Sequence, residues 1–181
     1  ATHRDIFVAG AEKNGVTRGK ATLLFDLMEK FAGYGFNKSH AAAYALVAYQ
    51  TAWFKAHHPA AFMAAVLSSD MDKTDKVVTL IDECNRMGLT VEPPDVNASQ
   101  YMFTVSGPKS IRYGLGAVKG SGQSAIEAII AARTSGGPFK DLFDFCKRVD
   151  RKQINRRTIE SLIRAGAMDC FGVDRAILLA S

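Results

Sequence analysis

Apolar residues in the first half of the chain recur at the spacing of α-helices. Between Arg18 and Phe31 they form one stripe, in which neighbours lie three or four positions apart. From Ala41 to Phe54, 12 of the 14 residues are apolar, and no Gly or Pro interrupts the run before Pro59. A helix that is apolar on nearly all sides is buried on nearly all sides. The pattern therefore predicts a central core helix, shorter than the roughly 20 apolar residues that span a membrane.

Capping residues and helix breakers predict where the other helices of this half begin and end. Thr2 is suited to cap a helix that runs to Lys13. Pro59 fits the first position of a helix over residues 60–67, because its fixed φ suits a helix start. A further helix is predicted over residues 73–87, before the breaker Gly88.

The pattern changes near residue 88. Short β-like runs follow at residues 89–91 and 101–105, and residues 110–113 can return as the second strand of a hairpin. The stretch 88–94 contains Pro93-Pro94 and is the predicted domain boundary. A small β-hairpin is thus expected between two helical regions, in a chain that is mainly α.

Two short helices joined by a tight turn are predicted twice in the second half. In the first unit, an apolar turn at residues 115–119 and the run Gly120-Ser121-Gly122 precede a helix over residues 123–133. In the second unit, residues 138–146 are followed by a basic turn and by a helix that Asn155 caps. The two units form an approximate internal repeat.

This repeat resembles a tandem helix-hairpin-helix, a motif that binds the backbone of duplex DNA without reading its sequence. Glycines let the hairpin approach a phosphate, and free N–H groups at the start of the second helix bind its oxygens. Ser121 stands where the motif usually has an aliphatic residue, and the second unit, which lacks Gly-x-Gly, is expected to be mainly structural. The alternative is a helical hairpin with glycine caps. The candidate DNA contacts are Lys119, Gly120, Ser121, Gly122, Gln123, Arg156 and Arg157.

The charge of the chain is concentrated in the second half. Residues 1–108 hold 10 Lys and Arg against 11 Asp and Glu, a net charge of −1, whereas residues 109–181 hold 13 against 7, a net charge of +6. The basic cluster, in which we include Lys147, Arg148, Arg151, Lys152, Arg156 and Arg157, would attract a polyanion together with Lys119. A solvated basic surface is the alternative interpretation.

Neither the cysteines nor the acidic residues indicate a metal site. The three cysteines are far apart and odd in number, which argues against a zinc site or a disulfide framework and favours a reducing compartment. The run from Asp70 resembles the start of a calcium loop. However, its sixth residue is Asp75 rather than Gly and its twelfth is Ile81 rather than Glu. A helix start is the favoured interpretation.

The entrance to the predicted core helix is suited to an anion. Ser39 is a good N-cap, the helix dipole adds positive potential, and Lys38 adds a full charge. His40 and Tyr44 are four residues apart and share one helical face, where the Tyr44 ring offers a stacking surface. A phosphate is favoured in such a place. An ordinary capped core helix, with Lys38 solvated, is the alternative.

Several long stretches together resemble the C-family replicative DNA polymerases of bacteria, the α subunits of DNA polymerase III. The Gly-Phe-Asn-Lys-Ser-His run at residues 35–40 is the most specific of them. The resemblance covers essentially the whole chain, which we interpret as a segment excised from a longer protein. The stretches are residues 31–67, 82–88, 93–97, 113–133 and 164–169.

The resemblance implies a domain organisation and roles for particular residues. Residues 1–87 would be helical fingers, residues 88–172 a β-hairpin with the tandem helix-hairpin-helix, and residues 173–181 the start of a following helix. The fingers of such polymerases face the incoming deoxynucleoside triphosphate and the template. By match to the motif, the residues on that face would be Asn37, Lys38, Ser39, His40 and Tyr44.

The resemblance also implies partners and missing parts. Primer–template DNA, the incoming nucleotide and, through absent regions, other replicase subunits would be partners of the intact enzyme, which is cytoplasmic and nucleoid-associated with no membrane partner. The palm aspartates that bind Mg²⁺ are not found here, so this chain is expected to have no catalytic residue, metal site or cofactor and to be inactive alone. Two alternatives are a stand-alone helix-hairpin-helix module of a repair or recombination protein and a helical protein-interaction domain.

Overall fold

The computed structural model describes residues 2–33 and 38–181, in which nine α-helices and three short strands occur. The prediction of a mainly α fold with a small β-hairpin is confirmed. The helices are α1 (His3–Lys13), α2 (Arg18–Ala32), α3 (Lys38–His57), α4 (Pro59–Ser69), α5 (Thr74–Arg86), α6 (Gln123–Gly136), α7 (Leu142–Arg148), α8 (Arg156–Arg164) and α9 (Arg175–Ala180). The strands are β1 (Thr90–Glu92), β2 (Thr104–Gly107) and β3 (Ser110–Arg112).

Local signals explain several helix starts. Thr2 and Asp5 form a reciprocal capping box on α1, in which the Thr2 N–H donates to the Asp5 carboxylate at 2.9 Å. Pro59 occupies the start of α4, and Asn155 caps α8 through its side chain. These three predictions are confirmed. They could be made from the sequence because each signal lies within a few residues of the helix start.

The chain divides into two compact units, residues 1–50 and residues 51–181. The stretch 88–94, which the sequence suggested as a boundary, lies inside the second unit. The reason is that α4 and α5 pack on the sheet: Met63 and Leu67 share one core with Phe103 and Ile111. The assignment of residues 1–87 to a fingers region concerns function and stays a prediction.

The first unit contains a helical hairpin. Val8 of α1 and Ala21 of α2 are buried, and the Phe7 and Phe25 rings lie 5.6 Å apart. The apolar stripe of α2 faces away from this contact, since Leu27 is 56% exposed and Phe31 is 82% exposed. The stripe exists as predicted, but in this chain it stays open to solvent.

The prediction that α3 is a buried core helix is wrong, because none of its residues is buried. Leu46 is 58% exposed and Tyr49 is 68% exposed. Apolar composition shows how much surface a helix can bury, but a partner must still supply the opposite surface. None of the described helices is long and apolar enough to cross a lipid bilayer.

A three-stranded sheet carries the second unit's smaller core. The strand order is β1-β3-β2, with β1 parallel to β3 and β2 antiparallel to it. Ile111, in the central strand, is fully buried, and the Phe103 and Tyr113 rings lie 4.7 Å apart. The predicted hairpin is therefore confirmed, and the parallel strand β1 extends it.

The larger core joins α6, α7, α8 and α9. Its centre includes the fully buried Ile129, Phe145 and Leu162. Asn97 fixes the backbone just before α7. Its Nδ2 donates to the Phe139 carbonyl at 2.9 Å, and its Oδ1 accepts from the Phe139 N–H at 2.7 Å. Both helical hairpins are thus built on one continuous core.

Candidate nucleic-acid interface

The first hairpin joins a 3-10 turn, Leu115–Ala117, to the start of α6. Gly120 has a φ of +90°, which a residue without a Cβ adopts at little cost. A Cβ at this position would also lie 3.0 Å from the Ser161 hydroxyl oxygen of α8. The turn is consequently sharp, and it lies against the second hairpin's helix.

Ser121 holds this turn together from the inside. Its hydroxyl lies 2.9 Å from the Leu115 carbonyl oxygen and 2.6 Å from the Val118 carbonyl oxygen. Its backbone N–H also donates to Val118 at 3.1 Å. The polar residue at a usually aliphatic position is thus explained by hydrogen bonding within the turn, which turns its hydroxyl toward protein carbonyls.

The start of α6 is open. Its N-cap is Gly122, which has no side chain to bond the first turn, and no atom lies within 4 Å of where a Cβ would be. Helices leave their first N–H groups without intrahelical partners, and the dipole makes this end positive. Gln123 donates its side-chain amide to Glu127 at 2.8 Å, along the helix. The backbone at Gly122 and Gln123 is therefore accessible to an external oxygen.

The second hairpin is closed by oxygens of the protein itself. Asn155 Oδ1 accepts from the Thr158 N–H at 2.9 Å at the start of α8. In the turn before it, Asp150 accepts from the backbone N–H groups of Lys152 and Gln153, both at 2.9 Å. An anion would have to displace these groups, which agrees with a structural role for the second unit.

The charged residues predicted to contact DNA differ in whether their side chains already form ion pairs. Lys119 and Arg157 are exposed, and the described part of the chain offers neither of them an ion pair. Arg156 pairs with Glu160 at 2.8 Å. Arg148 pairs with Asp144 at 2.9 Å and also donates to backbone carbonyls, so it is a structural residue rather than part of a mobile basic surface.

Of the residues predicted to face a nucleotide, the structure describes four, and Asn37 lies outside the described residues. Lys38 is the first residue of α3, so Ser39 lies within the helix rather than at its cap, which corrects that expectation. The His40 and Tyr44 rings lie 4.2 Å apart, and Tyr44 is 62% exposed. The shared helical face is confirmed, with an aromatic surface open to solvent.

The acidic residues considered for metal binding form ion pairs. Asp70 contacts Lys73 at 2.8 Å and Lys76 at 3.4 Å, and the hydrogen bond from Lys73 lowers the pKa of Asp70. Within residues 2–33 and 38–181, no three His, Cys, Asp or Glu side chains are grouped so that they would hold a metal ion. The side chains of this part of the chain do not fit a two-metal centre.

Alkylation tests the environment of Cys170. Cys170 is exposed at the surface, but its sulfur lies 3.7 Å from Asn97 Nδ2, and partial loss of hydration, reinforced by the Asp95 carboxylate, raises the pKa of the thiol. Because the thiolate is the reactive form, iodoacetamide at pH 8 should modify Cys170 about tenfold more slowly in the folded than in the unfolded chain. Peptide mass spectrometry after timed quenching measures both rates.

Two controls accompany that measurement. Asp95→Asn should accelerate modification of Cys170 and leave Cys146 unchanged, because only the first thiol is near that carboxylate. Equal rates for Cys170 with and without denaturant would show that the thiol is solvated and that the pKa of Cys170 is near its usual value.

Comparison with known proteins agrees with this geometry. A family model described as the helix-hairpin-helix motif matches residues 88–178, which include both hairpins. The chain belongs to the helix-hairpin-helix family. The match includes the open hairpin as well as the closed one, so membership in this family does not by itself distinguish their roles.

The whole chain is also similar to curated bacterial proteins. It is 61% identical over 181 residues to DNA polymerase III subunit alpha of Vibrio cholerae and 59% identical over 181 residues to that of Escherichia coli. Over 178 residues it is 61% identical to that of Haemophilus influenzae. The chain spans 15–16% of the length of these relatives and 98–100% of its own. The resemblance to these α subunits is confirmed.

Proposed function

We propose that this chain is the part of a bacterial replicative DNA polymerase that holds duplex DNA by its backbone through the first hairpin. The observation that carries the proposal is the open start of α6, where Gly122 leaves the first N–H groups without a side-chain cap, beside Lys119, which forms no ion pair with the described residues. Backbone N–H groups at a helix start bind phosphate oxygens, and such contacts carry no sequence information.

The asymmetry between the hairpins gives the proposed interface its location. At the second hairpin, Asn155 and Asp150 already bond the backbone groups that a phosphate would use. Arg157 remains available for attraction at longer range, whereas the charge of Arg156 is offset by Glu160. The proposed duplex contact therefore lies at residues 119–123. Ser161 of the second hairpin packs against the first hairpin at Gly120.

The nucleotide-facing face is a further part of the same proposal. Lys38, Ser39, His40 and Tyr44, together with Asn37, would face the incoming deoxynucleoside triphosphate in the intact enzyme. The contact between the His40 and Tyr44 rings supports this, because an exposed aromatic pair offers a surface on which a base can stack. The chain alone is proposed to bind DNA without extending a primer, since Mg²⁺ would be held elsewhere in the full-length protein.

Fluorescence anisotropy of a labelled primer–template duplex over a salt series tests the DNA interface. Gly122→Ala should weaken binding about tenfold, because a Cβ would stand in the path of the phosphate and weaken a charge-assisted hydrogen bond. Lys119→Gln should reduce the slope of log K against log salt by about 0.9, the contribution of one phosphate contact.

Lys152→Gln is the matched control for Lys119→Gln, because it removes a charge that is also exposed, from the closed hairpin. Its salt slope should remain that of the unchanged chain. Equal losses for the two lysine variants would move the interface away from the first hairpin. Absence of binding at low salt would refute duplex binding by this chain.

A further inference from the structure

A cavity of about 510 Å³ lies next to the first hairpin, on the side that faces α8. Pro94, Tyr113 and Val118 form apolar parts of its wall, and the start of α5 borders it at Thr74. This volume is within the range of about 300–1,000 Å³ that is typical of small-molecule sites. All of these residues belong to the second compact unit.

The polar residues of this cavity are all suited to bind an anion. Lys119 and Arg164 both line it, and neither has an ion-pair partner among the residues that the structure describes. Thr74, Tyr113 and Ser161 add hydroxyl groups, and no carboxylate is among the lining side chains. The Tyr113 phenol can donate a hydrogen bond at neutral pH, and burial raises its pKa further.

The position of the cavity is fixed by the protein's core. The Tyr113 ring packs at a tilt against the Phe103 ring, with centroids 4.7 Å apart, and the Tyr113 backbone N–H donates to the Glu92 carbonyl at 3.0 Å. Ser161 is on α8, where a Cβ on Gly120 would approach its hydroxyl to 3.0 Å. The two cations therefore stand on elements that pack together, and the site exists before any ligand arrives.

We infer that this cavity binds one nucleotide unit, with the phosphate between Lys119 and Arg164 and the base or sugar against the apolar wall. Two cations without a carboxylate favour a phosphate, and an apolar wall favours a phosphate attached to an organic group over a free one. The same chemistry is offered by a free nucleoside monophosphate and by the 5′-phosphorylated end of a DNA strand. The cavity shares Lys119 with the proposed duplex interface, but binding there does not require a duplex at Gly122.

Titration followed by backbone NMR of the whole chain tests this site. The probes are thymidine monophosphate, a 5′-phosphorylated oligothymidylate, its unphosphorylated counterpart and inorganic phosphate. Saturable shifts at Lys119, Ser161 and Arg164 are expected with one of the two phosphorylated nucleotide probes. Thymidine monophosphate alone would identify a free nucleotide as the ligand, and the phosphorylated strand alone would identify a strand end.

Arg164→Gln should weaken binding of the effective probe about tenfold, because a charge-assisted hydrogen bond is lost. Arg157→Gln is the matched control, since it removes an exposed arginine from the same helix outside the cavity. Duplex affinity should be unchanged in Arg164→Gln, which separates this site from the proposed duplex interface.

Three results would overturn the inference. The first is the absence of saturable shifts at the cavity with every phosphorylated probe. The second is an equal loss of affinity in Arg164→Gln and Arg157→Gln. The third is binding of inorganic phosphate as tight as that of the nucleotide probes, which would show that the apolar wall contributes nothing.

Discussion

Gly114→Ala should destabilise the second unit by about 3 kcal/mol or more, the upper end of the cost of overpacking. A Cβ at this position would lie 2.6 Å from the Met102 carbonyl carbon, 2.7 Å from the Tyr101 carbonyl oxygen and 2.8 Å from the Phe103 nitrogen. These are backbone atoms, and unlike the end of a flexible side chain they cannot turn aside.

The surrounding hydrogen bonds prevent the two segments from separating. The Leu115 N–H donates to the Gln100 carbonyl and the Gly116 N–H donates to the Tyr101 carbonyl, both at 2.9 Å. Relief of the clash would break this pairing and displace Phe103 from the core that it shares with Ile111. Urea denaturation followed by circular dichroism measures the effect.

Gly122→Ala is the control for this stability measurement. A Cβ there meets no atom within 4 Å, and the residue's φ of −74° is open to alanine. We expect a loss of at most about 1 kcal/mol, because alanine is a poorer N-cap than glycine. Equal unfolding midpoints for Gly114→Ala and the unchanged chain would contradict the close approach at Gly114.

Arg148→Ala should cost about 3 kcal/mol of folding stability. Arg148 donates to the carbonyls of Ala132 at 2.8 Å and Gly137 at 2.6 Å and to the Asp144 carboxylate at 2.9 Å. Its guanidinium also lies 4.6 Å from the centre of the Phe139 ring. Removal leaves part-buried acceptors unpaired, at a cost of about 1–3 kcal/mol each, partly repaid by water.

Two companion variants distinguish a structural arginine from a DNA contact. Arg148→Lys should recover little of the stability, because an ammonium cannot reproduce the planar fork. Arg157→Ala, on the exposed surface, should change stability by at most about 0.5 kcal/mol. Thermal unfolding gives the ranking. Anisotropy measurements on folded Arg148→Ala should show duplex affinity near that of the unchanged chain, and a large loss would return Arg148 to the interface.

The helix boundaries could be predicted because their causes lie within a few residues. Thr2, Pro59 and Asn155 act on the turn that follows each of them, so the sequence shows both cause and effect. The degree of burial of α3 could not be predicted in the same way, because it does not depend on local signals. Its apolar composition indicated a core helix, but burial depends on a packing partner, which composition does not show, and none of the residues of α3 is buried.

The candidate site was predictable in its backbone and less so in its side chains. Gly120 and Gly122 marked the hairpin, and at Gly120 glycine permits both the positive φ and the close approach to Ser161. Arg148 belonged to a run of basic residues, and nothing nearby in sequence showed that its carbonyl acceptors, Ala132 and Gly137, lie at the C-terminal end of α6. The cavity at Lys119 and Arg164 joins segments that are distant in sequence, so no local pattern indicated it.

Helix α6 has opposite arrangements at its two ends, with a mechanical consequence. Its first turn carries no cap, while its last turns are anchored: Arg133 donates to the Val96 and Ser99 carbonyls, both at 2.9 Å, and Arg148 donates to Ala132. The C-terminal end of α6 is therefore held in place by hydrogen bonds, while its N-terminal end is free to contact a ligand. A force applied to the backbone at Gly122 would be carried along the helix axis to residues 96–99.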